Sequence, residues 1–584
     1  MSRATTLRFL AKLSLESYKA LSKKYKLRLF LGFIVLILGC SLSAGVQLIF
    51  KQIIDSFIIE EQSLLFPIFF FVGAYSISWT INQVSNILGW LLSEPVVAEI
   101  SKYMIYKMFN HLLLLPYQFF LTKEALSIHT YFETVFRSST AILSNLFIYI
   151  IPSLLEMIII FIFFVKLYSF YLGLFLLILI FIFFFLTYKS IQESKIFDTA
   201  YYSQLEKFHS LLIESIDQII LIKTYHAFSF QKEKIKKIMH SFFSIAKNRM
   251  WHLDKAQALQ IVFCGIALFL ITILSAYYTF KGKITTGDFI MINNYFIQFT
   301  IPITFLGFIF AEIYREFILL KKSIFIFGLA IDQEEESKKN ELINFTPSIS
   351  FENVSLSFEN KKILDSISFT INPYEKVAII GTSGSGKSTC LKLITELYTK
   401  YQGNIFISGE NIKNISRKNI SDHIGIVLQQ SFLFQGSIAE NIRYGEKNIS
   451  EEKIIEVLKK VKLYNKIKTL QEGINESIEG IDFSGGEKQR IAIARALVRN
   501  PDIFLFDEIT ASLDTTTEKE IQAYIYDLIA EKTAIFVTHR LSFATLADKI
   551  ILMKKGKIIG IGSHKELIEN VNEYKIFYKE ENEK

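Results

Sequence analysis

The stretch Gly381-Thr382-Ser383-Gly384-Ser385-Gly386-Lys387-Ser388-Thr389 fits the pattern G-x-x-x-x-G-K-[ST]. An apolar run, Val377-Ala378-Ile379-Ile380, precedes it, and a helix-compatible run, Cys390-Leu391-Lys392-Leu393-Ile394, follows. A strand before and a helix after are the context that a phosphate-binding loop requires. The glycines let backbone N–H groups turn inward, and the helix aims its positive end at the anion. Lys387 is placed to reach the β- and γ-phosphates, and the Ser388 hydroxyl to sit on Mg²⁺. A chance glycine-rich turn is the competing explanation, and both flanks argue against it. The stretch predicts binding of ATP or GTP.

Downstream, Ile503-Phe504-Leu505-Phe506-Asp507-Glu508 reads as a buried strand ending in two acids, which fits a parallel sheet covered on both faces. Asp507 is placed to organise Mg²⁺, directly or through water, and Glu508 to polarise the water that attacks the γ-phosphate. Ser484-Gly485-Gly486-Glu487-Lys488-Gln489-Arg490 precedes a helix-compatible run to Val498, a second Gly-rich helix start suited to an anion. Upstream, Ser350 to Phe358 alternates like a strand.

Before residue 311 the chain is different. With 51% hydrophobic residues and 55 Phe among 584, the protein is too apolar to be soluble throughout. Six segments are long enough to cross the hydrocarbon: 29–50, 64–93, 138–165, 167–188, 256–280 and 289–311. Five carry no charge; the third carries Glu156. Residues 1–28 hold eight Lys/Arg against Glu16 alone, and read as a cytoplasmic membrane-surface helix, with an organelle transit peptide ranked second. The loop after the first span holds Asp55, Glu60 and Glu61 against Lys51, so it faces outward. Six crossings return the C-terminal part to the cytoplasm, where ATP is. Residues 51–63, 166 and 281–288 read as short external turns, whereas 94–137 and 189–255 extend the spans into the cytoplasm. The expected organisation is a surface helix over 1–28, a six-span helical domain over 29–321, a solvated linker over 322–348 and an α/β P-loop domain with a helical subdomain over 349–584. Three separated cysteines suggest neither a disulfide framework nor a Cys-based metal site. The net charge of +8 needs no nucleic-acid partner to explain it, and the spans exclude a soluble ATPase acting on nucleic acid.

The order Gly381–Thr389, Gln429, Ser484–Gln489, Asp507-Glu508, Ala511-Ser512-Leu513-Asp514 and His539 resembles an ATP-binding-cassette domain. With six spans in front, the chain resembles an exporter-type half transporter over residues 20–575. The resemblance implies that Phe358 stacks on adenine, where Tyr is usual, and that Gln429 touches Mg²⁺ and the attacking water. It implies that Phe483-Ser484-Gly485-Gly486-Glu487 is the signature that binds the γ-phosphate held by a partner subunit, with Phe for Leu and Glu for Gln. His539 becomes the switch histidine on the γ-phosphate, and Asp514 the residue communicating across the dimer. Lys387, Glu508 and His539 are then the catalytic set. A second copy of the chain is the implied partner, because Glu508 and His539 would give a homodimer two competent sites. Leu115-Pro116-Tyr117-Gln118-Phe119-Phe120 resembles the lead into the first cytoplasmic coupling helix, and Glu214 to Thr224 the segment around the second.

Polar residues inside the spans are the direct clue to cargo. Glu156, Asn293, Asn294 and Gln298 are candidates for a substrate cavity, with cross-helix hydrogen bonding as the competing role. The stretches Ile151–Glu156, Ile292–Gln298 and Ile301–Gly307 resemble the mitochondrial and heavy-metal-tolerance half transporters, which implies export of thiol conjugates. That branch's arginine-rich patch is here Lys189-Ser190-Ile191-Gln192-Glu193-Ser194-Lys195, and microcin-peptide exporters also resemble the sixth span. The expectation is an ATP-driven exporter of a small molecule, thiol conjugate or peptide, lying in a bilayer. A membrane ATPase that gates a partner without pumping is the alternative. Ile-, Lys- and Asn-rich usage suggests an AT-rich genome and hence a bacterial inner membrane.

Overall fold

Six long helices account for the apolar part of the chain: α1 (Lys23–Ile58), α2 (Leu65–Leu113), α3 (Ile128–Leu167), α4 (Phe170–Asp217), α5 (Phe228–Phe280) and α6 (Thr286–Ile324). The computed structural model describes residues 12–13, 15–58, 65–122, 128–168, 170–332, 345–358, 361–446, 448–509, 522–523 and 525–582. Among these, α1, α3, α5 and the Gly173–Glu193 part of α4 are long and apolar enough to cross a membrane by length and composition. Helices α2 and α6 cover the second and sixth expected spans. At about 1.5 Å per residue, helices of 48 to 53 residues run more than twice the roughly 30 Å of a hydrocarbon core. That surplus is the physical content of the expected extensions beyond the spans.

Two details differ from expectation. Helix α3 continues through Lys166 to Leu167, and Tyr168 follows as its C-cap, so the turn lies beyond residue 166. Lys166 sits in the last turn, where a cation suits the helix dipole. Helix α6 runs to Ile324, into the segment expected as linker. A π-helical stretch, Asn145–Ile150, interrupts α3 just before Pro152. Proline supplies no N–H, so one upstream carbonyl loses its partner and the helix widens locally.

The described residues up to 115 and from 128 to 330 form one compact unit, and 116–122 with the described residues from 331 onward a second. In the first, α1 and α2 approach at glycines: a Cβ on Gly89 would lie 2.8 Å from Leu36 Cδ2. Ile160, Phe164, Ile271, Tyr295 and Leu306 are fully buried in its core.

In the second unit, β1 (Ile349–Phe358), β2 (Lys361–Ile371), β4 (Gln402–Ile407) and β5 (Glu410–Asn411) form an antiparallel sheet in the order β2-β1-β4-β5. A larger sheet orders β10-β9-β3-β8-β7-β6. Its strands are β3 (Lys376–Gly381), β6 (Ile424–Val427), β7 (Ile503–Asp507), β8 (Thr533–Val537), β9 (Lys549–Lys554) and β10 (Lys557–Gly562). The first five are parallel and β10 closes the edge antiparallel. Every residue of β7 and β8 is buried, as continuous apolar runs in a covered parallel sheet should be. Parallel register places the C-terminal ends of β3, β8 and β7 side by side, and that edge carries the site.

Candidate nucleotide site and membrane polar cluster

The phosphate loop leaves β3 at Gly381 and ends at helix α7 (Lys387–Ile394). Gly384 and Gly386 have φ of +74° and +101°, in the left-handed region where a side chain is strained. A Cβ on Gly386 would also lie 2.6 Å from Leu364 Cδ2. Thr382, Ser383 and Gly384 form an exposed tip, while Ser385 and Lys387 are buried. The Ser385 hydroxyl has no hydrogen-bond partner among the described residues although it is buried. A buried, unpartnered hydroxyl in a glycine cradle fits a phosphate oxygen as its partner. Lys387 Nζ donates to the carbonyls of Gly381 (2.9 Å) and Thr382 (3.0 Å), which holds the ammonium over the loop. Burial lowers its pKa, opposed by the charges of Glu508 and Asp507.

Ser388 and Thr389 begin α7, and Ser388 Oγ donates to Asp507 Oδ1 at 2.7 Å. Burial raises the Asp507 carboxyl, against the pull of that hydrogen bond. Glu508 follows with φ +48°, its N–H bonded to the carbonyl of Val537 at 2.8 Å. The carboxylate is gripped from both sides: Gln429 Nε2 donates to Oε2 at 2.7 Å, and His539 Nε2 lies 2.7 Å from Oε1. His539 Nε2 is also 3.3 Å from Lys387 Nζ. One ring nitrogen cannot donate to Glu508 and accept from Lys387 at once, so the shorter contact identifies it as the N–H donor to Glu508. Gln429, the adjacent pair Asp507-Glu508 and His539, three separate stretches of sequence, thus meet beside the phosphate loop. Asp514 lies outside the described residues.

Phe358 ends β1 and meets Tyr398 edge-on, with ring centroids 5.0 Å apart. Tyr398 in turn meets Tyr117 at 5.7 Å, and Lys392 Nζ of α7 lies 5.5 Å over the Tyr117 ring. Tyr117 belongs to the segment 116–122, which is part of this unit. Nothing in the sequence pattern singled out Tyr398.

The signature starts helix α8 (Gly485–Leu497), with Gly485 and Gly486 in its first turn. Ser484 and Glu487 form a reciprocal capping box, and Lys466 donates to Glu487 at 2.7 Å. The two departures from the common signature therefore have structural work. Phe483 is buried in the helical-subdomain core, and Glu487 closes the cap and binds Lys466. Glu487 is engaged in these contacts. Burial alone would raise its carboxyl, but Lys466 and the Ser484 N–H hold it below the usual range.

In the membrane unit, a polar ladder joins α1 to α6. Ser43, Gln47, Lys51 and Asp55 recur every four residues and so share one face of α1. Gln298 pairs with Ser43, and Asn294 donates to Gln47 at 3.3 Å. Lys51 pairs with Asp288 at 2.6 Å, and Asp55 accepts from Thr285 Oγ1 and Gly287 N, both at 2.9 Å. Helix α3 joins at two levels: Ser43 and Gln298 both donate to Glu156 Oε1 at 2.7 Å, and Tyr168 donates to Asp288 at 2.9 Å. Of the four candidate cavity residues, Glu156 and Gln298 touch, and Asn294 stands one turn away. Asn293 does not join them. Rotated about 100° from Asn294, it bonds Thr272 and Ser275 of α5 and the Phe289 carbonyl. It is a cross-helix tie. Sequence reading missed Ser43, an ordinary residue of an apolar helix until its partners are known.

A family model described as ABC transporter matches residues 364–511, and one described as ABC transporter transmembrane region matches residues 29–303. The chain is similar to the mitochondrial iron-sulfur clusters transporter ATM1 of Chaetomium globosum, at 27% identity over 93% of this chain and 92% of that protein. It is 31% identical to ATP-binding cassette sub-family B member 6 of Homo sapiens over 74% of this chain, spanning only 52% of that longer relative. A solved structure, a bacterial Atm1-family ABC exporter with ATP bound, shares the fold with a TM-score of 0.85, over 95% of this chain and 98% of that one, at 24% identity. Taken with the phosphate loop, the Asp507-Glu508 strand end and the six long helices, these likenesses place the chain in the ATP-binding-cassette transporter family, as an exporter-type half transporter whose ATPase is coupled to transport.

Proposed function

We propose that two copies of this chain form a homodimeric exporter that moves a small molecule, thiol conjugate or peptide out of the cytoplasm by alternating access. The observation that carries this reading is Glu508, fixed between Gln429 and His539 beside the Ser388–Asp507 pair. A carboxylate so oriented accepts a proton from water as it attacks a γ-phosphate. Ser385 and the glycine cradle bind phosphate oxygens, Lys387 neutralises them, and His539 orients Glu508. Ser388, Asp507 and Gln429 offer the hard oxygen donors that suit Mg²⁺, which when bound neutralises phosphate charge.

Within one chain, no hydrogen bond among the described residues joins Ser484, Gly485 or Gly486 to the phosphate loop. A head-to-tail second copy would supply that signature and enclose two ATP molecules. Ile216, Ile220 and Tyr225, at the turn after α4, are each at least 70% exposed, an apolar tip suited to docking on another copy. The relatives' names speak of iron-sulfur clusters, and the cargo of this chain belongs to that range or to peptides. The setting is a multi-pass chain in a bacterial inner membrane, with the nucleotide unit in the cytoplasm.

The dimer is tested with Ser484→Cys and Ser383→Cys introduced together and bridged by a short bifunctional reagent. A covalent dimer that accumulates with ATP is expected. Products confined to monomer in the presence of ATP would contradict the shared site. Export is tested by ATP-dependent uptake of glutathione disulfide or peptide into inside-out proteoliposomes.

A further inference from the structure

Glu156 lies eleven residues before the end of α3 at Leu167. At 1.5 Å per residue that is about 16 Å, close to the middle of a hydrocarbon core of roughly 30 Å. A carboxylate at that depth is costly unless something neutralises it. No cation pairs with it among the described residues; its partners are the Ser43 hydroxyl and the Gln298 amide. Both donors are used on Oε1, so Oε2 carries no hydrogen bond among the described residues. The side chain is only partly buried, which leaves room for approach.

Gln298 adds a second acceptor. Its Nε2 is committed to Ser43 and Glu156, which fixes the amide orientation, because the flipped amide would set oxygen against carboxylate. Its Oε1 is buried and has no partner among the described residues. An unpaired buried acceptor is destabilising, and here it stands beside a carboxylate with no cationic partner among the described residues. Both defects are acceptors, and both vanish if one cationic donor with several N–H groups enters.

We propose that Glu156, Ser43 and Gln298 form the recognition site for an ammonium or guanidinium group on the transported molecule. The inference rests on the export reading above and gives its cargo a required chemical feature. The Glu156 carboxylate supplies charge, the Gln298 carbonyl a second acceptor, and Ser43 holds both in place. The ladder positions α1 and α6 so that all three converge. The α-ammonium of a peptide and that of a γ-glutamyl thiol conjugate share this chemistry.

The test compares binding to the full-length protein in lipid nanodiscs, followed by intrinsic tryptophan fluorescence. The probes are glutathione disulfide, a hydrophobic tripeptide amide with a free α-amine, and the N-acetylated form of each. Wild type should bind at least one free-amine probe tenfold or more tighter than its acetylated form. Glu156→Gln should erase that ratio while still binding the acetylated form, which reports an intact fold. Glu156→Asp should restore part of the ratio. Which free-amine probe is preferred distinguishes a peptide from a thiol conjugate. Equal binding of free and acetylated probes to wild type, no binding of any amine probe, or an unchanged ratio in Glu156→Gln would overturn the proposal. Amine-selective binding without ATP-dependent uptake would keep the site and remove the export reading.

Discussion

The nucleotide unit and the membrane unit place their functional groups by opposite strategies. In the first, one contiguous loop of nine residues holds the buried Ser385 hydroxyl and Lys387, and strand ends of one parallel sheet bring Asp507, Glu508 and His539 beside it. In the second, Ser43, Glu156 and Gln298 come from three helices and meet only because a four-rung ladder sets the helix register. Phosphate has one shape, so its binding loop is a local pattern. The proposed cargo site is instead assembled from side chains that nearby sequence does not mark.

Four substitutions sharpen this contrast. Gly381→Ala is expected to have the largest effect. Its Cβ would lie 2.1 Å from the Met553 carbonyl oxygen, a backbone atom that cannot swing away. The loss should reach several kcal/mol of stability and abolish ATP binding, read by nucleotide titration and thermal unfolding. Asp288→Ala comes next. It strips the partner from Lys51 and Tyr168 together and removes the capping box of α6. Because Lys51 is partly exposed, a loss of about 2 kcal/mol is expected, below the full cost of breaking a buried pair. Unfolding in mild detergent should show it, with ATP affinity unchanged.

Thr272→Val removes one tie between α5 and α6 and should cost about 0.6–1.7 kcal/mol by the same assay. The smallest effect is expected for Glu487→Gln, which keeps the cap and loses the ion pair with Lys466, worth less than about 1 kcal/mol. That contribution has a definite sign with pH. The Glu487 carboxyl is held below its ordinary value of 4.5, so the stabilisation is present above pH 4.5 and fades as pH falls through the lowered value. Wild type and Glu487→Gln should therefore converge in acid. A difference that grows in acid would contradict the ion pair.

Much of the nucleotide unit was legible in advance. The strand before the loop, the helix after it and the acids ending β7 follow from apolar runs and glycine placement. What sequence did not show was contact: that Gln429 and His539 grip the two oxygens of Glu508, or that Tyr398 joins the rings of Phe358 and Tyr117. Those depend on strand order, which no local pattern encodes. In the membrane unit the long helices were legible from hydropathy, and Glu156 from its charge. Asn293 and Asn294 point about 100° apart on a helix, and that rotation takes Asn293 to Thr272, Ser275 and the Phe289 carbonyl rather than to Gln298. Ser43 carried no signal, because a serine in an apolar helix most often bonds within its own helix.

In the proposed mechanism Glu508, set by Gln429 and His539, drives hydrolysis. Vanadate-sensitive ATP turnover in lipid, wild type beside Glu508→Gln, tests it most directly. The variant is expected to bind ATP with wild-type affinity while turnover falls about 10²–10⁴-fold, the range for loss of a general base. Equal turnover by the two proteins would contradict it.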